Sequence, residues 1–467
     1  MEYLNPLIAL LLPALLGGLC LELLIPAGTP ARPMAVWGNG LLVGLIGIPL
    51  LIRLLEALGV SLTYQAVGGI AGTIVVMAGL LLLVRKKPFP LAPRSMSDVA
   101  SRSLIYKLAI VSVLLLIALR VTTLGLELLW RPLYPFDATM HWATKARVWF
   151  EYRSLVPFVD NMRWLELAGE GVFTDHHAGY PITTPLLQVW TSLVIGRWDE
   201  SLINLPWLAC LVGMGLAFYG QARVAGAKPL VAIVFTYMLL SMPLINIHVA
   251  LAGYADLFLG ACYCAALMAF HNWAISRQSW QAVLAAFFAL SCPLIKNEGF
   301  YWLLTFAPGL FLVLLPWRKA LVWFAGIILV LLAVLAIIPR DFEVAGHSLE
   351  LLGLFFRPGA PEAVVNSLFV HDNWHLFSYL LPGLLVSALL LARPDVKACI
   401  GIIGTLASAI GLFLVLFIFT RYASGAIRFT AVGRISVQLI PGMMFLALLL
   451  YNALSQRVPE RERQRDS

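Results

Sequence analysis

Residues 134–147 read YPFDATMHWATKAR, and they follow an apolar run at residues 104–126. They open a polar insertion that reaches about Pro181 in a chain that is otherwise mostly apolar. If a helix begins at Asp137, then Asp137, His141 and Lys145 share one face at spacings of four residues. A second face is apolar and consists of Trp142, Ala146, Trp149 and Phe150. The pattern predicts a helix that lies in the membrane interface, with a carboxylate in its first turn.

The composition of the whole chain indicates a membrane protein. Of its 467 residues, 61% are hydrophobic and 12% are charged, whereas soluble proteins carry about 25% charged residues. The apolar residues form runs close to the length that crosses a bilayer, and they do not alternate with polar residues as in a membrane β-barrel. We therefore predict an all-α polytopic membrane protein in which the lipid bilayer is the first partner.

The formal net charge of +8 does not indicate a nucleic-acid partner. Lysines and arginines lie in short loops between apolar runs, which is the pattern of positive-inside orientation. No disulfide or zinc framework is expected, because the cysteines lie within or beside apolar runs without other metal ligands. These cysteines are Cys20, Cys210, Cys262, Cys264, Cys292 and Cys399. Residues 1–27 lack a basic start and a good cleavage site, so we interpret them as a retained helix.

The hydropathy pattern predicts a bundle of about 13 transmembrane helices. The candidate spans are 4–26, 35–58, 64–84, 104–126, 201–222, 228–247, 256–275, 279–295, 299–316, 320–338, 374–392, 398–419 and 434–451. Amphipathic interfacial helices are expected in the first large external loop, 127–200.

Residues 182–196 are apolar but short, and they decide the orientation of the chain. Counted as a full span, they would place the basic loop 223–228 outside, against the positive-inside rule. We interpret them as a re-entrant or surface helix, which puts the N-terminus outside. The predicted organisation is a three-helix segment (1–84), a basic cytoplasmic loop (85–103), a catalytic core (104–451) and a charged cytoplasmic tail (452–467).

Two acids are candidate site residues on the predicted outer face. Asp137 is a candidate general base at the mouth of a membrane cavity. Asp256 stands at the outer start of a later span. Each also fits a simpler interpretation as a helix-start acid that the helix dipole favours. Together, two acids facing one outer pocket favour an active site.

Cations near hydrocarbon are the second set of candidates. Lys296, Asn297 and Glu298 interrupt two apolar runs, and burial of such charges costs a few kcal/mol each. Lys296 is a candidate phosphate contact and Glu298 a candidate sugar contact, or the two form a structural pair. Arg421, Arg428 and Arg434 could clamp a phosphate or pyrophosphate, or extend to lipid headgroups. These arginines violate the positive-inside rule, which favours a functional role.

Histidines in the insertion form the third set. The segment 175–181 reads DHHAGYP, but adjacent histidines do not readily face one ion and no third ligand follows closely. We therefore expect His176, His177 and Tyr180 to contact substrate, together with His141 and Lys145. His371 and His375 stand four residues apart at a loop-to-helix junction, and the pattern does not favour metal binding there. The spacing requires no cofactor, although Asp137 and Asp256 could share a divalent ion.

These motifs resemble those of the GT-C superfamily of integral-membrane glycosyltransferases, and the likeness covers residues 104–451. The branch most similar contains the protein mannosyltransferases and the lipid A aminoarabinose transferases. The motifs are FDA at 136–138, GYPITTPL at 179–186, AD at 255–256, IKNEG at 295–299, and a late arginine, Arg428 or Arg434. The family's Pro-Pro pair is absent, and three extra spans precede the core.

The resemblance implies an inverting transfer from a polyprenyl-phosphate-linked sugar donor to a glycan, lipid or protein acceptor. Asp137 would be the general base, and Lys296 with the late arginines would stabilise the leaving phosphate. The expected location is the inner (plasma) membrane, with the site facing the periplasm or exterior. Other interpretations are a transporter or lipid flippase, a surface polysaccharide polymerase or ligase, and a non-enzymatic assembly subunit.

Overall fold

The computed structural model describes residues 5–85, 102–339, 341–344, 347–348, 352–353 and 355–465. Within these ranges the protein is almost entirely helical, which confirms the all-α class. The strands in this part of the chain form two pairs of two residues each: β1 (Phe158–Val159) is parallel to β2 (Phe173–Thr174), and β3 (Glu343–Val344) is antiparallel to β4 (His347–Ser348). Most of the basic loop 85–103 lies outside the described residues.

The chain divides into two compact units. The first unit contains residues 1–241, 245–265 and 294–296. Its helices are α1 (Asn5–Leu24), α2 (Arg32–Ala57), α3 (Tyr64–Val84), α4 (Leu104–Trp130), a π-helical turn (Ala138–Ala143), α5 (Thr144–Tyr152), α6 (Asn161–Glu166), α7 (Thr183–Ile195), a 3₁₀ turn (Leu202–Asn204), α8 (Leu205–Val224) and α9 (Pro229–Leu240). The three N-terminal helices thus belong to the same unit as the insertion.

The second unit contains residues 242–244, 266–293 and 297–467. Three helices contribute residues to both units: α10 (Pro243–Ala250), α11 (Asp256–Ser276) and α12 (Ser279–Ile295). The remaining helices are α13 (Glu298–Leu304), α14 (Phe306–Leu314), α15 (Trp317–Ile337), α16 (Ala360–Val365), a π-helical turn (Asn366–Val370), α17 (Phe377–Leu391), α18 (Arg393–Ala398), α19 (Ile400–Phe419), α20 (Ala423–Ile427) and α21 (Val432–Arg465).

Nine helices of the described chain are long and apolar enough to cross a membrane, which indicates an integral membrane protein. A tenth span results if α9 and α10, which are bent by 59° at their junction, cross together. The other three predicted spans, 279–295, 299–316 and 374–392, coincide with apolar helices of 10–17 residues. The expected number of 13 therefore stays a prediction.

Helix α7 is too short to cross a bilayer. Its 13 residues rise by about 20 Å, against an apolar thickness of about 30 Å. Its side chains are buried against the N-terminal helices, and the Trp190 indole donates a hydrogen bond to the Ala9 carbonyl at 2.9 Å. This length agrees with the prediction that residues 182–196 are not a full span.

Helices α1 and α2 of the first unit pack with their backbones in contact. A Cβ atom added at Gly17 would lie 1.9 Å from the Gly40 carbonyl oxygen, and one at Gly44 would lie 1.8 Å from that of Pro13. Small residues allow such an approach between membrane helices, where dispersion contacts replace the hydrophobic effect. Helices α7 and α8 pack against this pair of helices.

The polar insertion lies at one end of the pair formed by α1 and α2. The Glu56 carboxylate at the end of α2 accepts hydrogen bonds from Ser154 Oγ at 3.1 Å and the Leu155 amide at 3.0 Å. Arg32, at the other end of α2, forms a buried ion pair with Glu22. The 26 residues of α2 span about 39 Å. The insertion and the Arg32 corner are therefore at opposite ends of the first unit.

Candidate functional site

The helix that carries Asp137 begins with a widened turn. The backbone is helical from Phe136, and Ala138–Ala143 form a π-helical turn that continues into α5. The Thr144 hydroxyl donates a hydrogen bond to the Thr139 carbonyl at 2.7 Å, five residues back. Such π-turns occur frequently at functional sites. The sequence predicted the helix and its start, but not the extra residue in this turn.

Asp175 joins this helix to the loop that follows β2. Its Oδ1 atom lies 2.6 Å from His141 Nδ1, and its Oδ2 atom lies 2.7 Å from Lys145 Nζ. Oδ1 also accepts the His177 amide at 3.0 Å, and Lys145 donates to the His177 carbonyl at 2.8 Å. We call these four residues the Asp175 cluster. The cluster confirms that His141 and Lys145 share one face of their helix.

Burial sets the electrostatics of the Asp175 cluster. Burial raises the pKa of Asp175, but hydrogen bonds from Lys145, the His177 amide and His141 outweigh it and lower the pKa overall. Burial lowers the pKa of Lys145, and the hydrogen bond and charge of Asp175 partly oppose that effect. Asp175 is therefore ionised at neutral pH. Its charge is balanced by Lys145, whose side chain is only 1% exposed.

His177 is the neutral member of the cluster. Burial and the neighbouring rings of His141 and His176 lower the pKa of His177, while the charges of Asp175 and Asp137 raise it by less. At neutral pH the His177 ring is therefore uncharged.

Aromatic rings hold the loop 175–181 in place. Tyr180 stacks on His177 with a centroid distance of 4.4 Å and an interplanar angle of 5°. Tyr180 also contacts the ring of the buried Trp142, at 5.2 Å, and the ring of His141, at 6.3 Å. The rings of His141 and His176 meet His177 edge-on at 4.7 and 4.9 Å. The stack holds the loop against the insertion helix, which carries His141, and His176 is the exposed member of the group.

Asp256 and Lys296 form another buried ion pair of the first unit. Lys296 Nζ lies 2.8 Å from Asp256 Oδ1, and the Asp256 side chain is fully buried. Removing one partner of such a pair would leave a buried charge without compensation. The predicted contact of Lys296 with phosphate stays a prediction. The ion pair with Asp256 partly offsets the positive charge that a phosphate would meet.

The loop before Asp256 lies directly on the residue that follows Asp137. Gly253 has a φ angle of +113°, and a Cβ atom added there would lie 2.4 Å from Ala138 Cβ. At the start of α7, the Thr183 hydroxyl donates a hydrogen bond to the Leu294 carbonyl, two residues before Lys296. The helix of Asp137 and the Asp256–Lys296 pair are therefore at the same end of the first unit.

The remaining predicted site residues belong to the second unit. Asn297 and Glu298 begin α13, and Arg434 lies in the first turn of α21 with its side chain half-buried. Arg421 and Arg428 are exposed at either end of α20. Among the described residues, no group of three or more His, Cys, Asp or Glu side chains is placed to hold a metal ion. The roles of these residues stay predictions.

Asp175 and Gly253 are the members of the site that sequence reasoning missed. Asp175 was considered only as part of a weak metal motif, although a carboxylate between a histidine-bearing helix and a histidine pair was a usable signal. Gly253 carries no signal in the sequence beyond glycine itself.

The chain matches no protein-family model, no curated protein and no solved structure.

Proposed function

We propose that the protein is a membrane glycosyltransferase that moves a sugar from a polyprenyl-phosphate donor to an acceptor, with inversion at the anomeric carbon. One observation supports this most: the contact of Gly253 with Ala138 brings the helix of Asp137 and the Asp256–Lys296 pair to one end of the first unit. Acid and cation gathered at the end of a membrane bundle suit a reaction between a lipid-linked donor and a polar acceptor.

In the proposed reaction, Asp137 takes the proton from the hydroxyl or amine of the acceptor. The acceptor oxygen or nitrogen then bonds to the anomeric carbon, and the bond from that carbon to the phosphate oxygen breaks. The polyprenyl phosphate leaves with the electron pair. Lys296 is the cation of the first unit proposed to stabilise the developing charge.

A groove between the spans of the first unit suits the lipid part of such a donor. It lies between α4, α8 and α9, and Ile110, Leu114, Leu216 and Ile233 are among its lining residues. Its lining is mostly apolar, with Tyr219 and Thr236 as its polar side chains, so an isoprenoid chain would bury there mainly against apolar atoms. The groove also reaches Met34, two residues from Arg32, so it extends toward the end of the first unit opposite the insertion. It suits a lipid chain and does not distinguish among lipids.

The decisive experiment compares Asp137→Asn with Glu170→Gln, which changes an exposed acid elsewhere in the insertion. Purified protein in nanodiscs is supplied with polyprenyl-phosphate sugars, and transfer to extracted envelope glycans, lipids and proteins is measured. We expect Asp137→Asn to lower the rate by at least about 100-fold, the usual range for a general base. Glu170→Gln should retain the wild-type rate. Full activity in Asp137→Asn would reject the proposed role.

A transporter is the second candidate, and the bent pair of helices favours it. Helices α9 and α10 meet at 59°, and interrupted spans line the substrate sites of many transporters. Vesicles that contain the protein and a fluorescent glycolipid separate the two functions. Movement of the glycolipid across the bilayer without formation of a glycosidic product would favour the transporter.

A further inference from the structure

His141 is held in one orientation by the carboxylate beneath it. Among the described residues, the His141 side chain makes its hydrogen bond through Nδ1, to Asp175 Oδ1 at 2.6 Å. An ionised carboxylate can only accept hydrogen bonds, and the pKa of Asp175 is lowered. Nδ1 of His141 must therefore carry the proton, and Nε2 of the neutral ring carries a lone pair.

Lys145 keeps this arrangement electrically balanced. Lys145 Nζ lies 2.7 Å from Asp175 Oδ2. The Lys145 side chain is 1% exposed, whereas the His141 side chain is 12% exposed. The buried lysine fixes the Asp175 carboxylate through two contacts, on Asp175 and on the His177 carbonyl. The histidine is thus the member of the pair that solvent or a substrate can reach.

His141 is also close to Asp137. The two side chains are four residues apart at the start of one helix, where side chains at this spacing adjoin. The charge of Asp137 acts on His177, whose ring is 4.7 Å from that of His141. A carboxylate, an oriented imidazole and a second carboxylate behind it thus follow one another, which is the order of a base supported by a positioning group.

We propose that His141 is a second proton acceptor of this site, and that Asp175 is its positioning residue. This inference rests on the proposed glycosyl transfer. The acceptor's O–H or N–H bond breaks and its proton goes to Asp137; the proton then passes to Nε2 of His141, giving an imidazolium, and finally to water. Imidazole is a stronger base than a carboxylate, so this second transfer makes removal of the acceptor's proton more favourable. Asp175 stabilises the imidazolium through Nδ1.

The first test measures kcat and KM for transfer in His141→Ala, with and without free imidazole. We expect kcat to fall about 100-fold with little change in KM, and imidazole added to the buffer to restore part of the rate. A purely structural histidine would not be rescued by imidazole. Wild-type kcat in the variant, or a loss of kcat that imidazole leaves unchanged, would overturn the proposal.

The matched control is His375→Ala in the second unit. His375 also pairs with an aspartate, Asp372, at 3.2 Å, but both side chains are exposed. Its removal should change neither kcat nor the response to imidazole. Asp175 is tested as the double variant Lys145→Met with Asp175→Asn, because Asp175→Asn alone would leave a buried lysine charge. The double variant should lose kcat as His141→Ala does, and a wild-type kcat there would reject the positioning role.

A spectroscopic test decides the orientation of His141 independently of transfer. The ¹⁵N spectrum of histidine-labelled protein, assigned by comparison with His141→Gln, should show the neutral His141 ring protonated at Nδ1. Protonation at Nε2 would overturn the proposal even if transfer occurs. If the wild-type protein transfers no sugar but His141 is protonated at Nδ1, the proposed function fails and the oriented pair stands.

Discussion

Lys145 and Lys296 are each paired with a carboxylate that is removed from water. The side chains of Asp175 and Asp256 are 3% and 0% exposed. For Lys145, whose own side chain is 1% exposed, this burial favours a role in positioning the insertion over direct contact with a substrate. For Lys296 the pairing means that a phosphate would meet a cation whose charge is already partly offset.

The Asp256–Lys296 pair should be essential for stability. Lys296→Met leaves the fully buried Asp256 carboxylate without its cation, and we expect the free energy of unfolding to fall by about 3 kcal/mol. Thermal unfolding of the detergent-solubilised protein measures the change. The double variant Asp256→Asn with Lys296→Met carries no buried charge and should be more stable than Lys296→Met. The opposite order would show that the pair does not act as a unit.

Acid should loosen the loop 173–181. His177 has an ordinary pKa of 6.5 that folding lowers, so below pH 6.5 the unfolded loop binds the proton more readily and stability falls. Asp175 contributes stability above its ordinary pKa of 3.8, and that contribution is lost as the pH falls through its lowered pKa. Hydrogen exchange of the loop, corrected for intrinsic rates, should therefore increase from pH 7 to pH 5.

The variant His177→Phe isolates the histidine contribution to this acid response. Phenylalanine keeps a ring against Tyr180 but cannot take up a proton. Exchange of the loop in this variant should be nearly constant between pH 7 and pH 5. An acid response as large as that of the wild-type protein would assign the effect to another group.

At the scale of elements, the contact between Gly253 and Ala138 joins the insertion helix to the loop before α11. Two features of Gly253 each require glycine. Its φ angle is +113°, and the space that a Cβ atom would fill is occupied. The Ala138 Cβ atom is fixed to its own backbone, so it cannot turn aside for a Cβ atom at position 253 as the end of a longer side chain could.

Gly253→Ala should therefore be more damaging than a substitution that changes backbone strain alone. Gly171→Ala is the matched control, because Gly171 has a φ angle of +67° with no heavy atom near its added Cβ. Gly171→Ala should cost about 1 kcal/mol, whereas Gly253→Ala should cost more and also reduce transfer. Melting temperatures and transfer rates measure both effects. Equal losses in the two variants would show that the contact with Ala138 is unimportant.

The elements of the site were predictable to different degrees. The helix from Asp137 follows from apolar and polar spacing, and its two faces are those expected from four-residue periodicity. The π-turn was not predictable, because one extra residue in a turn leaves no periodic signal. The Asp175 cluster could not be predicted without the tertiary structure, because Asp175 is 34 residues from His141 and no local sequence pattern connects the two.

At the scale of the whole molecule, hydropathy located every long apolar helix among the described residues but not the number of spans. In this part of the chain, length separates nine clear candidates from α12, the α13–α14 segment and α17, and only a bilayer would show whether these shorter apolar helices cross. Hydropathy also does not address the division into two compact units. The three N-terminal helices pack with the insertion because α7 covers their ends, and that contact has no sequence signature.

Sidedness of the molecule can be tested with single cysteines in a chain from which the six native cysteines have been removed. We expect Glu170→Cys and Arg197→Cys, on either side of α7, to react with a membrane-impermeant maleimide on intact cells. Gly226→Cys, in the loop after α8, should react only after permeabilisation. Reaction of Glu170→Cys and Arg197→Cys from opposite faces would make α7 a full span.

The hydrogen bonds of Glu56 to Ser154 and Leu155 have a consequence for any attempt to shorten the protein. They attach the polar segment to the end of α2, and α7 rests on the same helices through the bond of Trp190 to Ala9. A chain that started at residue 104 would retain every motif of the glycosyltransferase likeness, yet its polar insertion would lack the helices against which it packs. The first 84 residues therefore support the insertion and the site proposed there.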